Sequence, residues 1–418
     1  MLNIVLINAV YPPEPVVSAQ MGQDLARHLS EYGAHITVLC PFPTRPLGVQ
    51  YHEYSASTRK EVTVERVHGV NVIRVPSLTA SASRLVNRMI ESISFGQQVC
   101  RYLEENFANI DVVYANVWPL FSQALIARHC ARRGVLVIFH VKDMYPESLR
   151  FKLPYVGRNI VLSALKALDK WIVRQAALVV VLSENMRRAY MQDRGLMSNK
   201  VITIRDWMDE SRFVSLPSRG EACRRYKVAE NVFTFLYLGN IGPVAGVEEL
   251  IEGFHAARLK HAQLLIVGDG SAKAACEALA KRLEVTDVRF ISDPDVENVP
   301  LLQSLGHVCL LPLRKGAGSS SVPSKLISYL FSAKPVLATV DAESDTARCI
   351  QESQCGWVGE PGNMEWLSSK MTEVAAMSPE VLRCMGADGK KYGLKIFSKH
   401  EGVQHLANII LEMKRKPS

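Results

Sequence analysis

The pattern that most restricts this chain is a strand–turn–helix alternation that runs, breaks once and runs again. Leu2–Ile7 is a continuous apolar stretch, as a parallel strand buried on both faces must be. A proline-rich turn at Tyr11–Pro15, a helix over Ala19–Tyr32 and a second apolar strand at Ile36–Cys40 follow. The rhythm continues through strands at Val70–Val75, Val112–Ala115, Val135–His140, Leu178–Leu182 and Val201–Ile204. It fails between Asp206 and about Lys227. It then restarts at Phe233–Leu238, Gln263–Val267, Val288–Ile291, Val308–Pro312, Val336–Thr339 and Gly356–Val358. Repeated βα units fold into doubly wound parallel sheets. The expected fold class is therefore α/β, with two Rossmann-like doubly wound domains facing across a cleft. The boundaries fall at 1–208 and 209–397, with a C-terminal helix in 398–418 returning to the first domain. A length of 418 residues suits two domains of about 200 residues, each able to bury its own core.

Composition excludes some classes. Hydrophobic residues make up 48% and charged residues 22%, an ordinary globular balance. No apolar run approaches the roughly 20 residues of a membrane span. The chain enters a strand at once, without a basic leader or cleavage site, so no signal peptide is expected. Nine scattered cysteines without a Cys-x-x-Cys pair read as reduced thiols of a cytoplasmic protein, and no metal site is expected.

The net charge of +8 is unevenly spread. Between Arg150 and Arg174 six basic residues (Arg150, Lys152, Arg158, Lys166, Lys170, Arg174) face one acid, Asp169, with apolar and aromatic residues interleaved. That makeup suits a peripheral contact with an anionic membrane, on the inner face of the plasma membrane; a core-facing helix with a solvated basic face is the alternative. The basic residues do not alternate with stacking aromatics along one strand face, so no nucleic acid is expected as a partner.

Three loops in the second half suit phosphate. Gly239-Asn240-Ile241-Gly242 follows a strand, and its glycines let backbone amides approach a diphosphate. Gly268-Asp269-Gly270 repeats that arrangement. The third runs from Leu313 through Gly316, Ser320 and Ser321 to Val322-Pro-Ser-Lys325, and then enters a helix. Pro323 and Ser324 suit the helix start, where free amides form an anion site with Lys325 beside them.

These motifs, with Asp143-Met-Tyr-Pro-Glu-Ser148, Gly246–Phe254 and Lys334-Pro-Val336, resemble the retaining, two-domain GT-B glycosyltransferases of family 4. The resemblance is strongest to the bacterial surface-polysaccharide branch that carries the Val-Pro-Ser-Lys motif. It implies transfer of a hexosyl or N-acetylhexosaminyl unit from a nucleotide diphosphate sugar, UDP-linked, which acts as co-substrate. The acceptor would be a lipid-linked or polysaccharide intermediate of O-antigen, capsule or exopolysaccharide synthesis. Front-face substitution, in which the departing diphosphate takes the acceptor proton, would need neither a metal nor a cofactor. His140 would contact the donor sugar, with Asp143 and Glu147 nearby as candidate catalytic residues. Asn116 and Trp118 would line the acceptor side. Gly239, Asn240, Gly242, Gly268, Gly270, Ser320, Ser321, Ser324, Lys325 and Ser328 would bind the nucleotide sugar.

The chain departs from the family pattern at several positions. The family's two glutamates fall on Ser320 and Ser328, and its diphosphate-binding Arg and Lys on Asn240 and Ala245. Asp206-Trp207 replaces a usual Asn-Gly. Lys325 is the candidate substitute for one lost charge. The departures keep two alternatives open: a noncatalytic sugar-nucleotide-binding partner of a polysaccharide-assembly complex, and a sugar-nucleotide epimerase of the same fold.

Overall fold

The computed structural model describes the chain apart from residues 1, 45–50, 52–53, 55–59, 68, 79–84, 118–119, 150–152, 154–156, 294, 317–321 and 414–418. It divides into two units, Met1–Asp206 with the residues from Gly402 onward, and Trp207–Glu401.

The first unit contains strands β1 (Asn3–Asn8), β2 (His35–Pro41), β3 (Thr63–Val67), β4 (Val70–Val75), β5 (Val112–Asn116), β6 (Leu136–Val141), β7 (Leu178–Val181) and β8 (Val201–Thr203). Its helices are α1 (Val17–Glu31), α2 (Leu85–Asn106), α3 (Phe121–Arg133), α4 (Arg158–Gln175) and α5 (Glu184–Asp193). The sheet order is β3-β4-β2-β1-β5-β6-β7-β8. Only the β3–β4 pair is antiparallel. The alternation in the sequence did not announce β3. It is an edge strand whose residues are half-buried or exposed, so it lacks the apolar run that marks its neighbours. Strand order reverses between β1 and β5, which places the loops after these two strands at a topological switch point.

The second unit opens with α6 (Arg219–Tyr226). Its strands are β9 (Phe233–Leu238), β10 (Ala262–Val267), β11 (Val288–Ile291), β12 (Val308–Pro312), β13 (Val336–Thr339) and β14 (Gly356–Gly359). Helices α7 (Val247–Ala257), α8 (Lys273–Arg282), α9 (Val299–Ser304), α10 (Ser324–Phe331), α11 (Asp345–Glu352), α12 (Met364–Ala375) and α13 (Pro379–Phe397) follow in turn. The last helix, α14 (Lys399–Glu412), carries the chain from the second unit into the first. The sheet is parallel throughout, in the order β11-β10-β9-β12-β13-β14. Its switch point lies between β9 and β12, the strands that lead into the first and third phosphate-friendly loops.

Helix α10 is held tightly. Leu326, Ile327, Leu330 and Phe331 are buried in the sheet-facing core. Helix α13 packs on α10 along a stripe of glycines: a Cβ on Gly389 would stand 3.1 Å from Leu330 Cδ2, and one on Gly393 2.9 Å from the Leu330 Cβ. A helix packed this closely fixes the direction of its own N-terminus.

Candidate functional site

In the second unit the structure joins the predicted loops into one cluster. Gly239, Gly268 and Gly270 adopt φ of 145°, 141° and 156°, values that side chains rarely tolerate. A Cβ on Gly268 would lie 2.1 Å from the Gly239 carbonyl oxygen, and one on Gly270 2.3 Å from that of Ile241. The Gly239 amide donates to Val267 O and the Ile241 amide to Asp269 O, both at 2.9 Å, lacing the two loops together.

Lys325, in the first turn of α10, crosses to the first of these loops. Its stem packs on Gly239, where a Cβ would meet the lysine Cε at 2.1 Å. Its ammonium lies 4.3 Å from the Tyr237 ring centroid and donates to the Tyr237 hydroxyl. That hydroxyl in turn donates to the Asn240 carbonyl oxygen at 2.6 Å. Burial pushes the Tyr237 pKa up, so the hydroxyl stays protonated and can accept from Lys325 while donating to Asn240. Burial also lowers Lys325 to a pKa of about 8. Among the described residues no carboxylate pairs with this half-buried ammonium, an arrangement that can receive an anion.

Tyr329, four residues along α10 from Lys325, sets the helix position. Its hydroxyl accepts from the Leu238 amide at 3.0 Å and lies 3.3 Å from the Leu238 and Leu310 carbonyl oxygens. It thereby pins α10 to the end of β9 and the middle of β12. Sequence reasoning missed both tyrosines. The available signals were an aromatic next to the last position of a strand and another one helical turn after the lysine.

Other predicted donor-site residues fare differently. Ser324 is exposed at the start of α10, where the cap residue is Pro323 and no side chain caps the helix, leaving first-turn amides to an incoming group. Gly242 closes the first loop with Asn240 against it. Ser328 corrects the expectation: it is buried, accepts from Gln303 Nε2 at 2.8 Å and donates to the Lys325 carbonyl at 2.9 Å. Its only hydrogen is committed inside the helix packing, so it offers no donor to a ribose. Ser320 and Ser321 lie outside the described residues.

In the first unit, His140 is the last residue but one of β6 and is fully buried. The hydroxyl of Tyr114, on neighbouring β5, hydrogen-bonds its Nδ1. Burial lowers the imidazole pKa well below its ordinary value, with the Lys142 charge adding to the effect, so the ring is neutral. With Tyr114 donating to Nδ1, the ring hydrogen sits on Nε2, a buried donor with no partner among the described residues.

Asn116 and Asp143 line one cavity of about 400 Å³, together with the loops that follow β1 and β5. Trp118 lies outside the described residues. Glu147 is drawn elsewhere. Its carboxylate receives both terminal nitrogens of Arg194, at 2.6 and 2.7 Å, and the Arg194 Nε donates to buried Asp169 at 2.8 Å. Burial opposes the charge of Glu147, but Arg194 outweighs it and holds the carboxyl below its ordinary pKa. Glu147 therefore serves an ion-pair network rather than the reacting groups.

Two doubly wound units, one with a lysine over laced glycine loops, define the class of double Rossmann-like proteins. Comparison with known proteins narrows this. Residues 20–212 match the profile of Glycosyltransferase Family 4, and residues 232–376 that of Glycosyl transferases group 1. The chain is 22% identical over 260 residues to the probable glycosyltransferase WbjE of Pseudomonas aeruginosa, a stretch covering 62% of this chain and 63% of that relative. It is 22% identical over 359 residues to the putative colanic acid biosynthesis glycosyl transferase WcaI of Escherichia coli K12, covering 84% of this chain and 86% of WcaI. The structure of HepE from Anabaena in complex with UDP-glucose superposes with a TM-score of 0.67 at 15% identity, over 98% of this chain and all of that one. The chain belongs to the family 4 glycosyltransferases and has their GT-B fold.

Proposed function

We propose that the protein transfers a hexosyl or N-acetylhexosaminyl unit, with retention, from a UDP-sugar to a lipid-linked acceptor in surface-polysaccharide synthesis. The observation that carries this reading is Lys325 braced by Tyr237 above the Gly239–Gly242 loop. There the ammonium and the first-turn amides of α10 meet the donor diphosphate and stabilise the charge that grows as it leaves. His140 offers its Nε2–H to a hydroxyl of the transferred sugar. As the sugar–phosphate bond breaks and the bond to the acceptor oxygen forms, the departing phosphate takes the acceptor proton. No step calls on a metal or a further cofactor. The names of WcaI and of the UDP-glucose complex of HepE support the polysaccharide and UDP assignments.

A thermal-shift screen of UDP-, GDP- and dTDP-sugars tests the donor. Ligand at a hundred times its Kd stabilises the fold by about 2.7 kcal/mol. A rise in Tm confined to the UDP series is expected; no shift with any nucleotide removes the proposal.

The reading includes a peripheral membrane contact through α4. None of the described helices is long and apolar enough to cross a membrane. In α4, Ile160 is 77% and Trp171 40% exposed, while the one acid, Asp169, is buried against Arg194. The outward face is thus apolar and basic. The protein should sediment with anionic vesicles at low salt and leave them near 0.5 M salt, where the screening length is only a few ångströms. Failure to sediment at low salt returns α4 to a solvated helix.

A further inference from the structure

The cavity of the first unit has features that the donor site does not use. It lies at the β1/β5 switch point, where Ala9, Val10, Asn116 and Val117 contribute, and it extends to α2, α3 and α4. A volume of about 400 Å³ falls within the usual range of ligand pockets. Its wall is mainly aliphatic and aromatic: Met89, Val117, Leu120, Phe121, Leu149 and Leu165. Ser18, Ser92, Asn116, Gln123 and Asp143 also line it, but most of the lining surface is carbon, which suits a hydrocarbon better than a saccharide.

Two lining residues also reach solvent, Val86 on α2 (60% exposed) and Val161 on α4 (43% exposed), so the cavity opens between these helices. Ile90, one turn after Val86 on α2, and Ile160, next to Val161 on α4, are also exposed. An apolar hollow that continues into an exposed apolar mouth suits a chain that partitions from a membrane. The cations of the lining are exposed Arg88 and Lys142, which is ion-paired to Asp206. Arg88 and Asp143 both stand close enough to half-buried Tyr145 for their charges to act on its hydroxyl.

We infer that this cavity holds the hydrocarbon chain of an amphiphilic acceptor, with Arg88 facing its phosphate. The inference rests on the acceptor being lipid-linked and specifies how such an acceptor is recognised. Binding of the chain removes apolar surface from water, which gives a negative heat-capacity change, whereas a headgroup alone does not.

Calorimetric titration of the full chain with geranylgeranyl phosphate, hexadecyl phosphate and inorganic phosphate tests it. The tail-bearing phosphates are expected to bind with a negative heat-capacity change and inorganic phosphate not to bind. Preference for the geranylgeranyl chain identifies an isoprenoid, and equal binding of both identifies any long chain. Leu165→Trp, which fills the cavity, and Val161→Glu, an exposed change at its mouth, should each weaken binding at least tenfold. Both variants should keep the UDP-sugar thermal shift of the unaltered protein, which reports the fold and the donor site separately. Absence of tail-dependent binding by the unaltered protein overturns the inference, as does unchanged affinity in Val161→Glu. Loss of the UDP-sugar shift in the unaltered protein would instead strike the proposed donor.

Discussion

Replacing Lys325 with Ala should lower kcat/KM for the donor on the order of 100-fold, the usual cost of removing one preorganised charge-stabilising donor. The effect is expected to be large because this chain carries Asn240 and Ala245 where the family 4 pattern is expected to place cations. The lysine has few substitutes. Its pKa of about 8 adds a signature in pH. In the free protein the ammonium is present below pH 8 and is lost as pH rises through it, so donor affinity should fall on the alkaline side. A bound diphosphate favours the charged form and moves that limb to higher pH.

The stability linkage has its own sign. Between pH 8 and the ordinary lysine value of 10.5, the unfolded chain holds a proton that the folded chain does not. Lys325 therefore makes the fold more stable as pH rises through this window, opposite to the trend in donor affinity. Lys325→Arg should remove the alkaline fall, because guanidinium stays charged throughout. Tyr237→Phe keeps the ring beneath the ammonium but removes the hydroxyl that links it to Asn240. It should weaken donor binding by about one hydrogen bond, roughly fivefold. Steady-state kinetics across pH 6.5–9.5 decide these points; an unchanged rate in Lys325→Ala would remove the lysine from the site.

Gly268→Ala should abolish detectable donor binding. Its added Cβ would stand 2.1 Å from a backbone oxygen of the first glycine loop, at a φ of 141° that a side chain resists. Neither obstacle yields to a rotamer change, so the two laced loops must separate. Backbone strain alone costs about 1–3 kcal/mol. Gly362→Ala provides the comparison: φ there is 80°, yet a Cβ would meet nothing within 4 Å. Both variants should lose some thermal stability, and Gly362→Ala alone should keep the UDP-sugar shift. Retention of that shift in Gly268→Ala would contradict the arrangement of the loops.

The fold was legible where the chain writes buried structure as continuous pattern. Parallel strands such as β1 and β9 are covered on both faces and show as apolar runs. Strand β3 has only a half-buried face, carrying Thr63, Glu65 and Val67, and shows no apolar run. Glycine turns at 239, 268 and 270 were legible because a positive φ and a close backbone approach require that residue type. The partners of site residues were not legible. Tyr237 lies 88 residues from Lys325, and no local pattern marks their contact. The same distance problem left Glu147 a candidate catalytic residue, because its partner Arg194 stands 47 residues further on. Ser328 occupied a motif position, but only the packing of Gln303 shows that its hydroxyl is already used.

Incubation of the full chain with a radiolabelled UDP-sugar and a prenyl-diphosphate-linked saccharide measures the central claim most directly. The account predicts UDP release matched by labelled acceptor whose new linkage keeps the donor's anomeric configuration, and both are lost in Lys325→Ala. Firm UDP-sugar binding without transfer to acceptor or to water would contradict it and leave a protein that only binds sugar nucleotides.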